Sequence, residues 1–234
     1  MDHTEALVER YLLRRGFTDV VFEPDGNVTP DFLVNGRIAI EVRRLDQNRQ
    51  TEGGTRSLEM EAVPLGKMIG RVLKTIGRPK PGPSWFVFYS FGRPLPKLKQ
   101  LEVSLREHLI QFSSDPDAAS RQLQIGRNVS VRLARSSRVF DDLFVLGGSS
   151  DDDSGGFVVS EIVRNLAIAF SQKAPKVAAL RHKYGEWWFV LVDYIGYGLN
   201  EDDRRQLKEL VSVTGPWDRV VLISPVDPDS AVEL

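Results

Sequence analysis

Apolar residues recur along this chain at two spacings, helical and strand-like, and the switches between them predict most of its elements. From Thr4 to Arg15, Leu7, Val8, Tyr11 and Leu12 form a helical stripe, with Thr4 as N-cap and Gly16 as stop. Asp19 to Glu23 reads as a short strand, and Pro24-Asp25-Gly26-Asn27 carries turn chemistry. Asp31 to Val34 and Arg37 to Leu45 read as two strands joined at Asn35-Gly36, a strong hairpin signal.

Residues 46–57 are polar and Gly-containing, which predicts a mobile loop; Leu58 to Ile76 reads as a helix despite Pro64 and Gly66. Ser84 to Phe91 (SWFVFYSF) is continuously apolar, which predicts a strand buried on both faces. A helix over Leu98 to Phe112 and strands over Val129 to Ala134 and Phe140 to Leu146 follow. Residues 147–156 (GGSSDDDSGG) are low in complexity and read as a flexible loop. Val158 to Tyr184 reads as a long helix bent or split at Pro175, and Trp187 to Tyr194 as a second fully buried strand. A helix over Glu201 to Ser212, capped by Asn200, and a strand over Arg219 to Ser224 complete the pattern. The order predicts an α/β protein: one domain over residues 1–234, a mixed β-sheet flanked by helices on both faces.

Composition narrows the chemistry. The 234 residues include no Cys, which excludes disulfides, thiolate metal sites and a cysteine nucleophile. The three His (His3, His108, His182) have no zinc-hydrolase spacing. No run approaches the roughly 20 apolar residues of a membrane span, and the polar, acidic start does not read as a signal peptide, so no membrane association and a cytoplasmic location are expected. The net charge of −1 conceals a split: residues 1–140 hold 22 Lys and Arg against 16 Asp and Glu, and residues 141–234 hold 9 against 16. A nucleic acid would therefore be expected on the first half only.

The densest chemistry lies on the hairpin, Thr29 to Arg43. Alternation puts Ile38, Ile40 and Val42 on one face and Arg37, Ala39, Glu41 and Arg43 on the other. A two-residue loop at Asn35-Gly36 would turn Asp31 toward the core, and burying an unpaired carboxylate is costly. A three-residue bulged loop, with Leu33 opposite Arg37 and Asp31 opposite Ala39, instead puts Asp31, Glu41 and Arg43 on one face. Two neighbouring carboxylates repel unless a cation lies between them, and oxygen ligands suit Mg²⁺ or Mn²⁺. Asp31 and Glu41, with a backbone carbonyl such as that of Val42, would hold an ion that activates a water, and Arg43 could bind the scissile phosphate. The alternative is a solvated hairpin whose charges pair with Arg37 and Arg43.

Pro30-Asp31, nine residues, then Glu41-Val42-Arg43 resembles the motif of the PD-(D/E)XK nuclease superfamily, the restriction-endonuclease-like fold. The resemblance covers about the first 90 residues. It implies that residues 1–91 form an αβββαβ core carrying the metal hairpin, and that residues 92–234 are an extension that covers or extends the sheet. It also implies a supporting carboxylate on the first helix, where Glu5 stands at the family's distance from Gly16-Phe17; Glu9 fits less closely. The activity implied is Mg²⁺-dependent hydrolysis of phosphodiester bonds in DNA, in a chain that could pair into a homodimer. The sequence departs from the family at Arg43, which replaces the motif Lys. Arginine binds phosphate but cannot act as a base, so a catalytically inactive member that binds nucleic acid or protein is the alternative, and Gln47 and Lys67 are candidate compensating groups. A plain interaction protein with surface charges on its hairpin is a third reading. Pro24-Asp25 is a rival PD, with no apolar strand after it.

Basic residues offer phosphate contacts in two places: Arg71, Lys74 and Arg78 at helical spacing, and Arg132 with Arg135 on a basic strand. Asp193, Trp85, Trp187 and Trp188 are expected to be structural.

Overall fold

The computed structural model describes residues 1–77, 82–114, 116 and 120–234. In chain order the elements begin with α1 (His3–Arg14), β1 (Val20–Phe22), β2 (Phe32–Val34), β3 (Ile38–Leu45), β4 (Asn48–Thr51) and β5 (Gly54–Ser57). Next come α2 (Glu59–Thr75), β6 (Trp85–Phe91), α3 (Leu98–Ser114), β7 (Ser120–Gly126), β8 (Val129–Arg135) and β9 (Phe144–Asp151). The chain ends with α4 (Val158–Leu180), a 3₁₀ turn (Arg181–Lys183), β10 (Glu186–Asp193), α5 (Glu201–Leu210), β11 (Arg219–Ile223) and β12 (Ala231–Glu233). The protein is α/β, and its elements gather into two units: residues 1–57 with 156–234, and residues 58–155.

The first unit holds a six-stranded sheet in the order β1-β2-β3-β10-β11-β12. Strands β1, β2 and β3 form an antiparallel meander, β10 and β11 run parallel to β3, and β12 is antiparallel. The central pair explains the burial. Every residue of β10 from Trp187 to Asp193 is buried, as its continuous apolar run predicts. Alternate side chains serve two cores. Phe32, Ile40, Val42, Trp188, Val190 and Val192 pack with Leu7, Val8, Tyr11 and Leu12 of α1. Ala39, Leu45, Trp187, Phe189 and Leu191 pack with Ile162, Leu166, Phe170 and Val177 of α4 and Leu207 of α5. Helices thus cover both faces.

This topology corrects the expected core over residues 1–91. Strand β3 pairs with β10, which follows α4, whereas α2 and β6 belong to the second unit, and the chain gathers into two compact units. Both helix–strand pairs carry the same local pattern. Pairing to β3 is a long-range choice that local pattern does not encode.

The second unit is a four-stranded sheet, β7-β8-β6-β9, with β8 antiparallel and β9 parallel to β6. Trp85, Val87, Tyr89 and Phe91 pack with Leu65, Ile69 and Val72 of α2 and Leu101, Leu105 and Phe112 of α3. Strand β6 was expected to be buried on both faces. It alternates instead, burying Trp85, Val87, Tyr89 and Phe91 but not Phe86, Phe88 and Ser90. No flexible loop spans 147–156: β9 runs to Asp151, because its backbone pairs with β6 and Arg93 anchors its end. The Arg93 guanidinium, 1% exposed, donates to both oxygens of Asp151 (2.5 and 2.8 Å), to Asp153 (3.0 Å) and to the Leu58 carbonyl (2.7 Å).

Smaller differences have local causes. Asp2, not Thr4, caps α1: its Oδ1 accepts from the Glu5 N–H at 2.9 Å, and Thr4 is buried. Residues 46–57 form the β4–β5 hairpin instead of a mobile loop, bonded across Thr51 and Gly54. Helix α4 runs through Pro175. Asn200 caps α5 as expected, accepting from the Asp203 N–H at 2.9 Å.

Candidate active site

The hairpin turn decides which side chains meet. Asn35 and Gly36 both take positive φ (+52° and +60°), and the Arg37 N–H donates to the Val34 carbonyl at 3.1 Å. This is the tight turn that Asn-Gly favours. Arg37 is then an extra residue, and the ladder continues with Val34 opposite Ile38, Leu33 opposite Ala39 and Phe32 opposite Ile40. The connection has the three residues expected, displaced by one along the chain, so Asp31 comes opposite Glu41 and not Ala39. The displacement moves the register by two positions and therefore preserves the faces. The Asp31 N–H donates to the Ile40 carbonyl (3.0 Å), and its Oδ2 accepts from the Val42 N–H (2.6 Å), which binds the carboxylate to the edge of β3.

Glu41 is 1% exposed, on the face that α4 covers. Its Oε1 accepts a short hydrogen bond from Lys173 Nζ of α4. Its Oε2 is buried with no hydrogen-bond partner among the described residues. A buried carboxylate oxygen in that state is costly, and a cation is the ligand it suits.

Asp31 senses the same charges. Burial first, then the Glu41 carboxylate, raises its pKa from 3.8 to about 6. The Val42 N–H and the Lys173 ammonium oppose the rise, and Glu5 adds to it. Asp31, Glu41, Lys173 and Glu5 therefore share one electrostatic neighbourhood. Glu5 also closes the capping box of α1, where its Oε2 accepts from the Asp2 N–H at 2.5 Å. Arg43, two residues beyond Glu41 on β3, is half-buried; burial lowers its pKa, with Asp46 pulling the other way.

The sequence missed Lys173. Its signal was a lysine inside the buried stripe of α4, at helical spacing with Leu166, Ala169, Phe170 and Val177. The rival Asp25 is tied to Lys183 and Tyr184 and joins no such cluster. Lys67 is exposed on α2, in the other unit. Asp193 is structural: its Oδ1 accepts from the Ile195 and Gly196 N–H groups, both at 2.9 Å, and burial raises its pKa.

Of the basic candidates, Arg71 and Lys74 lie on α2, where Arg71 pairs with Glu102 at 2.9 Å. Arg132 and Arg135 are exposed on β8, and Arg78 lies outside the described residues. All the described ones belong to the second unit.

Among the described residues, no three His, Asp or Glu side chains group as a metal cage. Two carboxylates suit Mg²⁺, which keeps several waters. No helix of the described residues is long and apolar enough to cross a membrane. No family model matches the chain, and neither does any curated protein or solved structure.

Proposed function

We propose that the first unit is a metal-dependent nuclease module of the PD-(D/E)XK type that hydrolyses phosphodiester bonds in DNA. The observation that carries this reading is the meeting of Asp31, Glu41 and Lys173, with one buried oxygen of Glu41 left open. The arrangement of the unit's main sheet supports it: α1 is followed by the β1-β2-β3 meander, and β10, which follows α4, pairs with β3, with Asp31 just before β2 and Glu41 on β3.

Asp31 and Glu41 would hold Mg²⁺ or Mn²⁺, which supplies Lewis-acid charge beside the phosphate. The chain's own groups do the rest. Lys173 holds Glu41 in place and sets an ammonium where negative charge grows on the phosphate. Arg43, always protonated, binds a phosphate oxygen. The ammonium that the motif lacks at position 43 arrives from α4. Hydrolysis adds water across the diester: the water oxygen bonds to phosphorus, one P–O bond breaks, and the departing oxygen takes a proton.

The test is nicking of supercoiled plasmid in Mg²⁺. Wild type should cut, Glu41→Ala should not, and Lys173→Ala should lose about a hundredfold or more, the scale of one transition-state donor. Cutting that survives Glu41→Ala overturns the reading. DNA retention without any cutting would favour the inactive, nucleic-acid-binding alternative.

A further inference from the structure

The second unit covers one face of its sheet with α2 and α3 and turns Phe86, Phe88 and Ser90 to the other, where neither of its own helices packs. The two central strands furnish that open face. Phe86 and Phe88 stand on β6, with ring centroids 6.4 Å apart, and the half-exposed Phe140 meets Phe86 edge-on at 5.6 Å. On β8, the exposed Arg132 lays its guanidinium over the Phe88 ring, 4.4 Å from the centroid. Beside them the Ser90 and Ser130 hydroxyls share a hydrogen bond of 2.8 Å, and Gln122 donates to Ser130 at 3.3 Å. A depression of about 380 Å³ opens over Phe88, Ser90, Ser130, Arg132 and Gly147–Ser150.

Two features show that the face is built to hold its aromatic row. A Cβ at Gly147 would fall 2.7 Å from the Phe88 ring, so glycine there lets the ring lie against the backbone of β9. Residues 120–140 contain five Arg and no Asp or Glu. Of these, Arg132 stands on this face, whereas Arg121 and Arg135 lie opposite Leu133 and Trp85, on the side that α2 and α3 cover. The whole unit carries 14 Lys and Arg against 11 Asp and Glu, a net of +3. At the far end of β6, Arg93 pairs with Asp151 and Asp153, and Asp152 lies beside Ser90 and Ser130, so acidic groups bound the patch there. Asp141 and Asp142, which follow Phe140, bound the patch on the other side.

We infer that this open sheet face is a stacking platform for single-stranded DNA. Aromatic rings on the central strands take unstacked bases, the hydroxyl and amide groups meet base edges, and the Arg132 guanidinium supplies the cationic contact beside them. A duplex keeps its bases stacked inside and offers this row nothing to stack on. That the strand is DNA and not RNA rests on the nuclease reading; the platform itself rests on the second unit alone.

Fluorescence anisotropy with a labelled oligo-dT in EDTA tests it, using the full chain carrying Glu41→Ala so that nothing is cut. We expect oligo-dT to bind more tightly than a duplex of equal length, and Phe88→Ala to weaken it about tenfold or more. Phe88→Tyr, which keeps the ring, should bind like the parent and controls for folding. Arg132→Gln should reduce the steepness of the salt dependence by about one charge. Duplex binding as tight as oligo-dT, or full binding by Phe88→Ala, overturns the platform. Tighter binding of oligo-rU overturns DNA as its occupant. Plasmid cutting without oligo-dT binding would sink the platform and leave the nuclease reading standing; oligo-dT binding without cutting would do the reverse.

Discussion

Lys173 of α4 and Glu41 of β3, 132 positions apart, form a charged hydrogen bond that uses one oxygen of a fully buried carboxylate. The other oxygen has no partner among the described residues. Helix α4 thus does more than cover the sheet: it delivers an ammonium to the buried Glu41 carboxylate.

That pair predicts the response to removing its cation. Lys173→Met leaves a buried anion uncompensated, which should cost about 3 kcal/mol. Adding Glu41→Gln removes the stranded charge and should recover more than half of that loss without restoring any cutting. Urea midpoints of the two single variants and the double variant give the coupling. Additive losses would refute a direct pairing.

The raised pKa of Asp31 predicts a stability window with a definite sign. Its folded value of about 6 exceeds its unfolded value of 3.8, so between these pH values the folded chain binds more protons. Stability from this group is therefore highest below about pH 4 and falls as pH rises to about 6. Asp31→Asn, which keeps an acceptor for the Val42 N–H, should raise stability by about 2 kcal/mol at pH 7.5 and by little at pH 4. Thermal melts at the two pH values check it, and an equal gain at both would contradict the shift.

Metal addition should act in the opposite sense on the same group. Mg²⁺ at ten times its dissociation constant should add about 1.4 kcal/mol at pH 7.5. Below pH 6 protons compete for Asp31 and the gain should shrink. The gain should vanish in Glu41→Ala. Melts in Mg²⁺ and in EDTA measure this without reference to cutting.

The second unit has its own anchor. Arg93 is 1% exposed and holds Asp151 and Asp153 together with the Leu58 carbonyl. Arg93→Met should cost about 3 kcal/mol. It should also release β9, which hydrogen exchange would report as lost protection over residues 144–151, with the β3–β10 pair unaffected.

The local signals were legible where neighbours along the chain decide the outcome. The PD motif, the Asn-Gly turn and the alternation of β3 were enough to put Asp31 and Glu41 on one face. Even the displaced turn kept that result, because a shift of two positions preserves strand faces. Lys173 stayed hidden because its partner is distant in sequence and its residue type is ordinary on a helix. The runs SWFVFYSF and WWFVLVDY look alike, yet one lies between two buried faces and the other keeps an open one. What covers a strand is not a property of its own residues.

By itself, then, the sequence determined α1 to α5, the core strands and the α/β class, and placed Asp31 and Glu41 on one face, since these follow from short-range periodicity and turn chemistry. It missed β4, β5, β7 and β12, which are short or polar. Only the tertiary structure decided that residues 58–155 form a separate unit and that β10 is the strand beside β3. It alone brought Lys173 to Glu41. Those choices depend on complementary surfaces far apart in the chain: β3 is matched by a strand buried on both faces, and Glu41 by a cation on the helix that covers it.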